Sequence, residues 1–274
     1  MIIDCHVHLN YYEDESKPAL PRQLEALQRE MRRNRVDIAL ALTSFKDIPG
    51  RPSTGDVVKA VRDLRHIRVI AGISYLRRAA QDLSEIREYL QAGIVRGLKF
   101  YPGYEPFYPS DPEMRPAVEL ALEFGVPLMI HSGDTFSAKG RIKYSHPLQI
   151  DDLAVDHPEL KIIICHLGNP WLRDCMEVVY KNANVYADIS GLVLGDFSDR
   201  FELYMQRQLQ DMLLFGVEPE KVLYGTDWPI ASMESYLDFV EELSIPEADR
   251  RRILWDNAAK IFGLHASDSM FPAV

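Results

Sequence analysis

The order of apolar segments along the chain predicts a (β/α)8 TIM barrel. Eight apolar, β-prone segments alternate with helical segments, and the first strand begins within the first few residues. Several strand segments are apolar without interruption, as expected for parallel strands that are covered on both faces. A chain of 274 residues, 47% hydrophobic, is long enough for one such barrel, so we expect a single domain over residues 1–274. An open, doubly wound parallel sheet is the alternative that the same alternation allows.

Each predicted strand is a short run rich in branched apolar residues. The first strand lies within residues 1–9, and the other seven are 36–43, 68–74, 95–101, 127–131, 161–166, 184–190 and 221–225. The spacing between consecutive runs leaves room for one helix in each connection, which is the repeating unit of a parallel barrel.

The helices between these strands are predicted from their end signals. Asp111, Pro112 and Glu113 supply a capping side chain, a proline at the first helical position and an early acid, and the helix that follows ends at Gly125. Gly93 ends another helix in the same way. The predicted helices are 20–34, 55–65, 81–92, 117–124, 148–155, 171–182, 200–215 and 233–243, with a closing helical segment at 247–262.

Charge and cysteine content exclude several classes of protein. Lys plus Arg number 31 and Asp plus Glu number 41, and the resulting net charge of −10 argues against a nucleic-acid partner. Three cysteines in no zinc-ribbon spacing indicate reduced thiols. Asp4 interrupts the first apolar run before a signal peptide could form, and no apolar run approaches the roughly 18 residues of a membrane span. We therefore expect a cytoplasmic protein with no membrane partner.

Polar side chains gather where the predicted strands end. His6 and His8 share one face of the first strand, because alternate side chains of a strand point the same way, and Asp4 lies one step deeper. Imidazole is a common ligand of divalent transition metals. The active site of a (β/α)8 barrel lies at the carboxyl ends of its strands, and those ends also carry Lys99, His131, His166 and Asp227. A buried core histidine would explain one of these residues, but a metal site explains the set.

The segments around these positions resemble the amidohydrolase superfamily, in the branch that includes aminocarboxymuconate semialdehyde decarboxylase and many metal-dependent hydrolases. The matching segments are DCHVH at 4–8, GLKF at 97–100, IHSG at 130–133, CHLG at 165–168, YGTDWP at 224–229 and NAAKIFGL at 257–264. They cover the chain in the order of the family. Such motifs are specific for the superfamily and carry little information on the substrate.

The resemblance implies one divalent metal, Zn²⁺ first and Mn²⁺ or another ion as alternatives, held by His6, His8, His131 and Asp227. Such a ligand set leaves a position for water, which the metal would acidify. Asp227 would also accept the proton of that water. His166 would hydrogen-bond the water or stabilise charge on the substrate, and a role in orienting a metal ligand is its alternative.

Lys99 has two alternative roles, because a bare ammonium beside a dication is repelled and must either stand away from the metal or change its charge. In the first role Lys99 contacts an anionic substrate or forms a structural ion pair. In some members of the superfamily a carboxylated lysine at the fourth strand bridges two metals. The sequence FYPG that follows Lys99 is associated with the mononuclear branch, which favours the first role.

The loops after the strands are expected to form the pocket walls. Tyr101 begins a stretch of aromatic residues and prolines after the fourth strand, and Arg141 belongs to a local basic cluster in the loop 134–146. Trp171 and Trp228 follow the sixth and eighth strands. We expect these four residues and Lys99 to bind the substrate, a small molecule that carries a carboxylate. Asp188 on the seventh strand is expected to make a structural hydrogen bond at the barrel mouth.

The pattern predicts a metal-dependent hydrolase in which hydroxide generated on the metal attacks a small amide, ester or lactone. The alternative within enzymes is a metal-dependent, non-oxidative decarboxylase of an unsaturated or aromatic acid, in which Lys99 or Arg141 would place the carboxylate. A non-catalytic metal-binding barrel is the alternative outside enzymes. The resemblance is also compatible with a homo-oligomer.

Overall fold

Eight parallel strands form one sheet in the order of the sequence, which confirms the predicted barrel. The computed structural model describes residues 1–11, 19–45, 50–77 and 83–271. The strands are β1 Ile3–Val7, β2 Ile38–Leu42, β3 Ile67–Ile73, β4 Val95–Phe100, β5 Leu128–Ile130, β6 Ile162–Ile164, β7 Val185–Asp188 and β8 Val222–Leu223. Seven of the eight predicted strands are longer than the observed ones, because the apolar pattern continues into buried turns at the strand ends.

Backbone hydrogen bonds between β1 and the segment after β8 close the barrel. Cys5 N donates to Tyr224 O at 3.0 Å, and His8 N donates to Trp228 O at 2.7 Å. Val7 and Trp228 form a parallel bridge in the same place. The doubly wound alternative is therefore wrong, since an open sheet has no such contact between its first and last strands.

The helices lie outside the sheet and follow the predicted order. They are α1 Leu20–Arg33, α2 Thr54–Val61, α3 Leu83–Gln91, α4 Arg115–Phe124, α5 Asp151–Asp156, α6 Leu172–Lys181, α7 Asp199–Phe215, α8 Met233–Glu241, α9 Glu247–Arg251 and α10 Asn257–Phe262. Residues 81 and 82 of the third predicted helix lie outside the described residues.

Two predicted helices are built differently from the expectation. Pro147–Ile150, before α5, is a 3-10 turn, and Arg252–Asp256, between α9 and α10, is a π-helical turn. Apolar periodicity does not distinguish these tighter and wider turns from an α-helix. Within the described residues no helix combines the length and the apolar character that crossing a membrane requires.

The hydrophobic core has two layers. The larger layer packs the outer face of the sheet against the helices, and the smaller layer fills the barrel. Ile3, Ile38, Met129 and Ile163 belong to the inner layer, together with residues of α10 such as Phe262. The last helix thus packs into the inner layer at the amino-terminal end of the strands, which leaves the carboxyl end for a cavity.

Gly72 of β3 allows the segment after β2 to pass close to the sheet. A Cβ atom at this position would lie 2.4 Å from Thr43 O and 2.9 Å from Ser44 C. Gly72 N also donates to Thr43 Oγ1 at 2.9 Å. Because the obstructing atoms are backbone atoms, they cannot move aside as a flexible side chain would.

Gly72→Ala is therefore expected to lower the free energy of unfolding by about 1–3 kcal/mol. Gly55→Ala in α2 is the matched control, because its nearest neighbour is the far end of the Glu85 side chain and alanine favours a helix. Urea denaturation of both variants measures the effect. Equal stability of the two variants would show that the segment after β2 can shift freely.

Candidate active site

A cavity of about 390 Å³ opens at the carboxyl ends of the strands. Every strand-end residue singled out from the sequence lines it, namely His6, His8, Lys99, His131, His166 and Asp227. The strand-end rule for (β/α)8 barrels therefore brought together side chains that lie far apart along the chain. A cavity of this size suits a small organic molecule.

His6, His8 and Asp227 form a compact group on this cavity. One ligand atom of each lies within 4.8 Å of the others. His8 Nε2 is 3.0 Å from Asp227 Oδ1, and His6 Nε2 is 3.8 Å from the same oxygen. Two imidazole nitrogens and one carboxylate oxygen at these separations can converge on one divalent ion.

The second nitrogen of each imidazole is held by an acceptor. His6 Nδ1 lies 3.0 Å from Asp188 Oδ2, which confirms the expected hydrogen bond of Asp188. His8 Nδ1 lies 3.0 Å from Leu42 O. Metal-ligating histidines usually donate their other ring N–H to a carboxylate or a carbonyl, which leaves Nε2 as the coordinating atom. The donor set therefore fits a divalent metal.

Asp4 fixes the turn that carries Asp227. Its carboxylate accepts hydrogen bonds from Thr226 Oγ1 at 2.7 Å, from Thr226 N at 3.1 Å and from His6 N at 3.1 Å. Asp227 itself adopts a positive φ of 67°, and its N–H donates to His6 O at 2.8 Å. These bonds of Asp4 hold the last loop against β1.

His131 and His166 lie beside this group but outside it. The ring centroids of His131 and His166 are 5.2 Å apart, and that of His166 is 4.9 Å from that of His6. His131 Nε2 lies 3.0 Å from Asp134 O, so Nδ1 is its remaining nitrogen. His131 belongs to neither of the groups of potential metal ligands found among the described residues, and its role as a ligand stays a prediction.

Residues 188–190 support His166. His166 N donates to Asp188 Oδ1 at 2.9 Å, and His166 Nδ1 lies 3.0 Å from Ser190 O and 2.9 Å from Ser190 Oγ. His166 has a positive φ of 61° within the 3-10 turn Cys165–Gly168 that follows β6. The sequence analysis missed Ser190, although its position two residues after Asp188 places both on one side of the strand.

Burial sets the charges of the group. It lowers the pKa of His6 to about 3 and lowers the pKa of His131 and of His166 as well. Burial alone would raise the pKa of Asp227, but the hydrogen bond with His8 holds that pKa well below its usual range. Burial would also raise the pKa of Asp188, but His6 holds that pKa well below its usual range. Neutral imidazoles beside ionised carboxylates are the protonation states that metal binding requires.

Lys99 is almost completely buried, with 1% of its surface exposed. Its Nζ lies 2.5 Å from Cys165 Sγ and 5.6 Å from the centroid of the Tyr101 ring. Lys99 and Tyr101 both line the cavity, as predicted for substrate contacts. The carboxylated form of Lys99, and with it a second metal, stays a prediction.

The cavity walls come from loops that follow the strands. One wall is aromatic, with Phe45, Tyr101 and Tyr104, and Tyr104 Oη accepts a hydrogen bond from Phe136 N at 2.9 Å. Another is aliphatic and consists of residues 192–194 and Ile230. A ring-shaped substrate would fit between these two walls.

Arg51, in the connection between β2 and α2, also lines the cavity. The sequence analysis missed it, because a lone arginine before a proline gives a weaker signal than the basic cluster in the loop 134–146. The rule that loops after strands build the pocket would have included it.

Three predicted substrate contacts lie away from the cavity. Arg141 is exposed and its backbone N–H donates to Gly103 O at 2.8 Å, while Phe136 of the same loop lines the cavity. Trp171 packs against His146, with their ring centroids 4.6 Å apart. Trp228 is a core residue that bridges to β1. None of the three is among the described residues that line the cavity.

A (β/α)8 barrel that gathers His6 of β1, His8 just after β1 and an aspartate from beyond β8 at one cavity is typical of metal-dependent barrel enzymes. The chain belongs to the Amidohydrolase family, whose family model matches residues 3–264. The family predicted from the sequence motifs is thereby confirmed.

Curated relatives of the chain are γ-resorcylate decarboxylases. The protein from Polaromonas sp. (strain JS666 / ATCC BAA-500) is 29% identical over 118 residues, which cover 40% of this chain and 36% of that protein. The protein from Rhodococcus jostii (strain RHA1) is 25% identical over 228 residues, 71% of this chain and 67% of that protein. The chain therefore matches between about a third and two thirds of the length of these relatives.

Solved structures share the fold. An uncharacterized TIM-barrel protein from Bordetella bronchiseptica has a TM-score of 0.76 at 20% identity, covering 96% of this chain and 98% of that chain. A dihydroxybenzoic acid decarboxylase from Polaromonas sp. JS666, with bound manganese and the inhibitor 2-nitroresorcinol, has a TM-score of 0.68 at 18% identity, covering 98% of this chain and 100% of that chain.

The expectation of a hydrolase is wrong, because the curated relatives are decarboxylases. The alternative reading, a non-oxidative decarboxylase, agrees with them. The sequence motifs could not separate the two reactions, since a divalent metal at the strand ends can activate water or hold a substrate's oxygen atoms with the same ligands.

The protonation of Asp4 should make stability depend on pH. Burial raises the pKa of Asp4 to about 7, although the hydrogen bonds from Thr226 and His6 lower it. The unfolded chain releases this proton near pH 4 and so binds fewer protons than the native state up to about pH 7. The contribution of Asp4 to the free energy of unfolding therefore falls as pH rises through this window, by up to about 1 kcal/mol per unit.

The asparagine of Asp4→Asn does not titrate. The free energy of unfolding of the native protein should therefore fall relative to that of the variant as the pH rises from 5 to 8. Urea denaturation of both proteins in the presence of a chelator measures the shift. A difference that stays constant across this range would show that Asp4 is ionised throughout.

Proposed function

We propose that the protein is a metal-dependent, non-oxidative decarboxylase of a hydroxylated aromatic carboxylic acid. The observation that carries the proposal is the cavity, which combines the group His6, His8 and Asp227 with aromatic and aliphatic walls and the positive charge of Arg51. The γ-resorcylate decarboxylase relatives support it. The reaction converts an aromatic carboxylate and a proton into CO2 and the corresponding phenol.

His6, His8 and Asp227 would hold one divalent ion, and His131 beside them would complete the set. When bound, the metal supplies positive charge that anchors substrate oxygen atoms and withdraws electrons from them. The nitrogen-rich donor set favours Zn²⁺, and Mn²⁺ is the ion to compare with it, because a solved decarboxylase of this fold contains manganese.

His166 is the residue that would carry a proton to the substrate. Its Nδ1 is engaged by Ser190, so Nε2 is the nitrogen that remains for the cavity it lines. The ring carbon must gain a proton as its bond to the carboxyl carbon breaks. Burial lowers the pKa of His166 and favours its neutral form, while the negative charge of Asp227 opposes that lowering. His166 Nε2 would therefore take up a proton from solvent in each cycle before transferring it to the ring carbon.

Arg51 and Lys99 would recognise the negative charge of the substrate. Both line the cavity, and a cation beside a carboxylate places it before the bond breaks. The aromatic wall, with Tyr101 and Tyr104, and the aliphatic wall would hold the ring between them. These walls would exclude water from the reacting carbon, so that His166 and not water donates the proton.

The proposal is tested with the full chain loaded with Zn²⁺ or Mn²⁺ and supplied with 2,6-dihydroxybenzoate and related hydroxybenzoates. We expect equal amounts of CO2 and phenol, and in heavy water one deuterium on the carbon that lost the carboxyl group. The measurement combines CO2 detection with mass spectrometry of the product. Failure of the metal-loaded protein to release CO2 from any hydroxylated aromatic acid in the panel would refute the proposal.

Substitutions should separate metal binding from proton transfer. His8→Gln and Asp227→Asn remove donor atoms of the metal group, so we expect at least about tenfold weaker metal binding. His166→Gln should keep one equivalent of metal while kcat falls by about 10²–10⁴, the usual contribution of a general acid. Metal analysis after dialysis and steady-state kinetics measure both effects.

His157→Gln, a substitution outside the cavity, serves as the control and should change neither property. Loss of metal from His166→Gln would assign that residue to the metal instead of the proton.

A further inference from the structure

Asp188 and Ser190 form a buried hydrogen-bond network below the two histidines. Asp188 Oδ1 accepts from three donors, which are His166 N at 2.9 Å, Ser190 N at 3.1 Å and Ser190 Oγ at 2.5 Å. Its other oxygen, Oδ2, faces His6 Nδ1 at 3.0 Å. Asp188 and Ser190 are both fully buried, so water does not compete for these bonds.

The number of hydrogens in this network determines the tautomers of both histidines. An ionised carboxylate only accepts, so the single hydroxyl hydrogen of Ser190 is donated to Asp188. Ser190 Oγ can then only accept from the nitrogens beside it, His6 Nδ1 at 2.9 Å and His166 Nδ1 at 2.9 Å. Both histidines therefore carry their hydrogen on Nδ1 and leave Nε2 free of it.

We propose that Asp188 is the positioning residue that locks His6 in the Nδ1–H tautomer and thereby makes His6 Nε2 available to a metal. The metal itself belongs to the proposed function, on which this inference rests. Asp188 does not touch the substrate; it acts through His6 and, by its bond to the backbone of His166, sets the spacing of the two rings.

Asparagine at position 188 should reverse this tautomer. Two of the donors on Oδ1 are backbone N–H groups of His166 and Ser190, which cannot become acceptors. The amide oxygen of Asn must therefore stay on their side, and its NH2 group must face His6 Nδ1. His6 would then accept at Nδ1 and carry its hydrogen on Nε2, the atom that a metal needs. Replacing a histidine-orienting aspartate by asparagine has this effect in other enzymes.

The experiment is ¹⁵N NMR of the imidazole rings in metal-free, ¹⁵N-histidine-labelled full chain, with the His6 signals assigned from His6→Gln. We expect His6 as Nδ1–H in the native protein and as Nε2–H in Asp188→Asn. Competition with a chromogenic chelator for Zn²⁺ should show about 10–100-fold weaker binding by Asp188→Asn.

Asp4→Asn is the matched control, because Asp4 is also a buried carboxylate of the network around His6. It contacts the backbone of His6 and the hydroxyl of Thr226, which can reverse its hydrogen bond to suit an amide. His6 should therefore stay Nδ1–H in Asp4→Asn. A merely structural role of Asp188 would alter stability in both variants without changing the ring nitrogen that carries the hydrogen.

Two results would overturn the inference. One is an Nε2–H tautomer of His6 in the native protein, which is decisive even where Asp188→Asn fails to fold. The other is a folded Asp188→Asn protein in which His6 remains Nδ1–H. Because these spectra need neither metal nor substrate, absence of decarboxylation would refute the proposed function and leave the role of Asp188 standing.

Discussion

The contact between β1 and the segment after β8 is the constraint on which the site depends. Asp227 N donates to His6 O at 2.8 Å, and Asp4 accepts two hydrogen bonds from Thr226 on the same segment. These bonds close the barrel and bring Asp227 to His6 of β1 and His8 just after it. Closure of the barrel and the arrangement of this group therefore depend on the same hydrogen bonds. Loss of the contact between β1 and the segment after β8 would separate Asp227 from His6 and His8 while most of the core stayed packed.

The fold and the centre of the site could be predicted because both follow from periodic rules. Apolar runs separated by helices gave the strand order, and the strand-end rule placed His6, His8, His166 and Asp227 on one cavity. The walls could not be predicted in the same way. Whether a loop residue such as Arg141 faces the cavity depends on the path of an irregular loop, which apolar periodicity does not encode.

The reaction is less predictable than the metal site for a chemical reason. Hydrolysis and decarboxylation can share the same donors, and they differ in what lies opposite the metal. In the proposed reaction that difference lies in the position of His166, which would donate a proton to carbon where a hydrolase activates water. That position depends on the left-handed turn at Cys165–Gly168 and on its bonds to residues 188 and 190, which a strand-end motif does not contain.

The inner layer of the core, which α10 completes, closes the barrel at the amino-terminal ends of the strands. Phe262 and its neighbours pack into the floor beneath the strands. In the proposed reaction CO2 and the phenol would both leave at the carboxyl ends of the strands, past the loops that line the cavity. Residues of those loops would then influence the rate of product release without touching the reacting carbon.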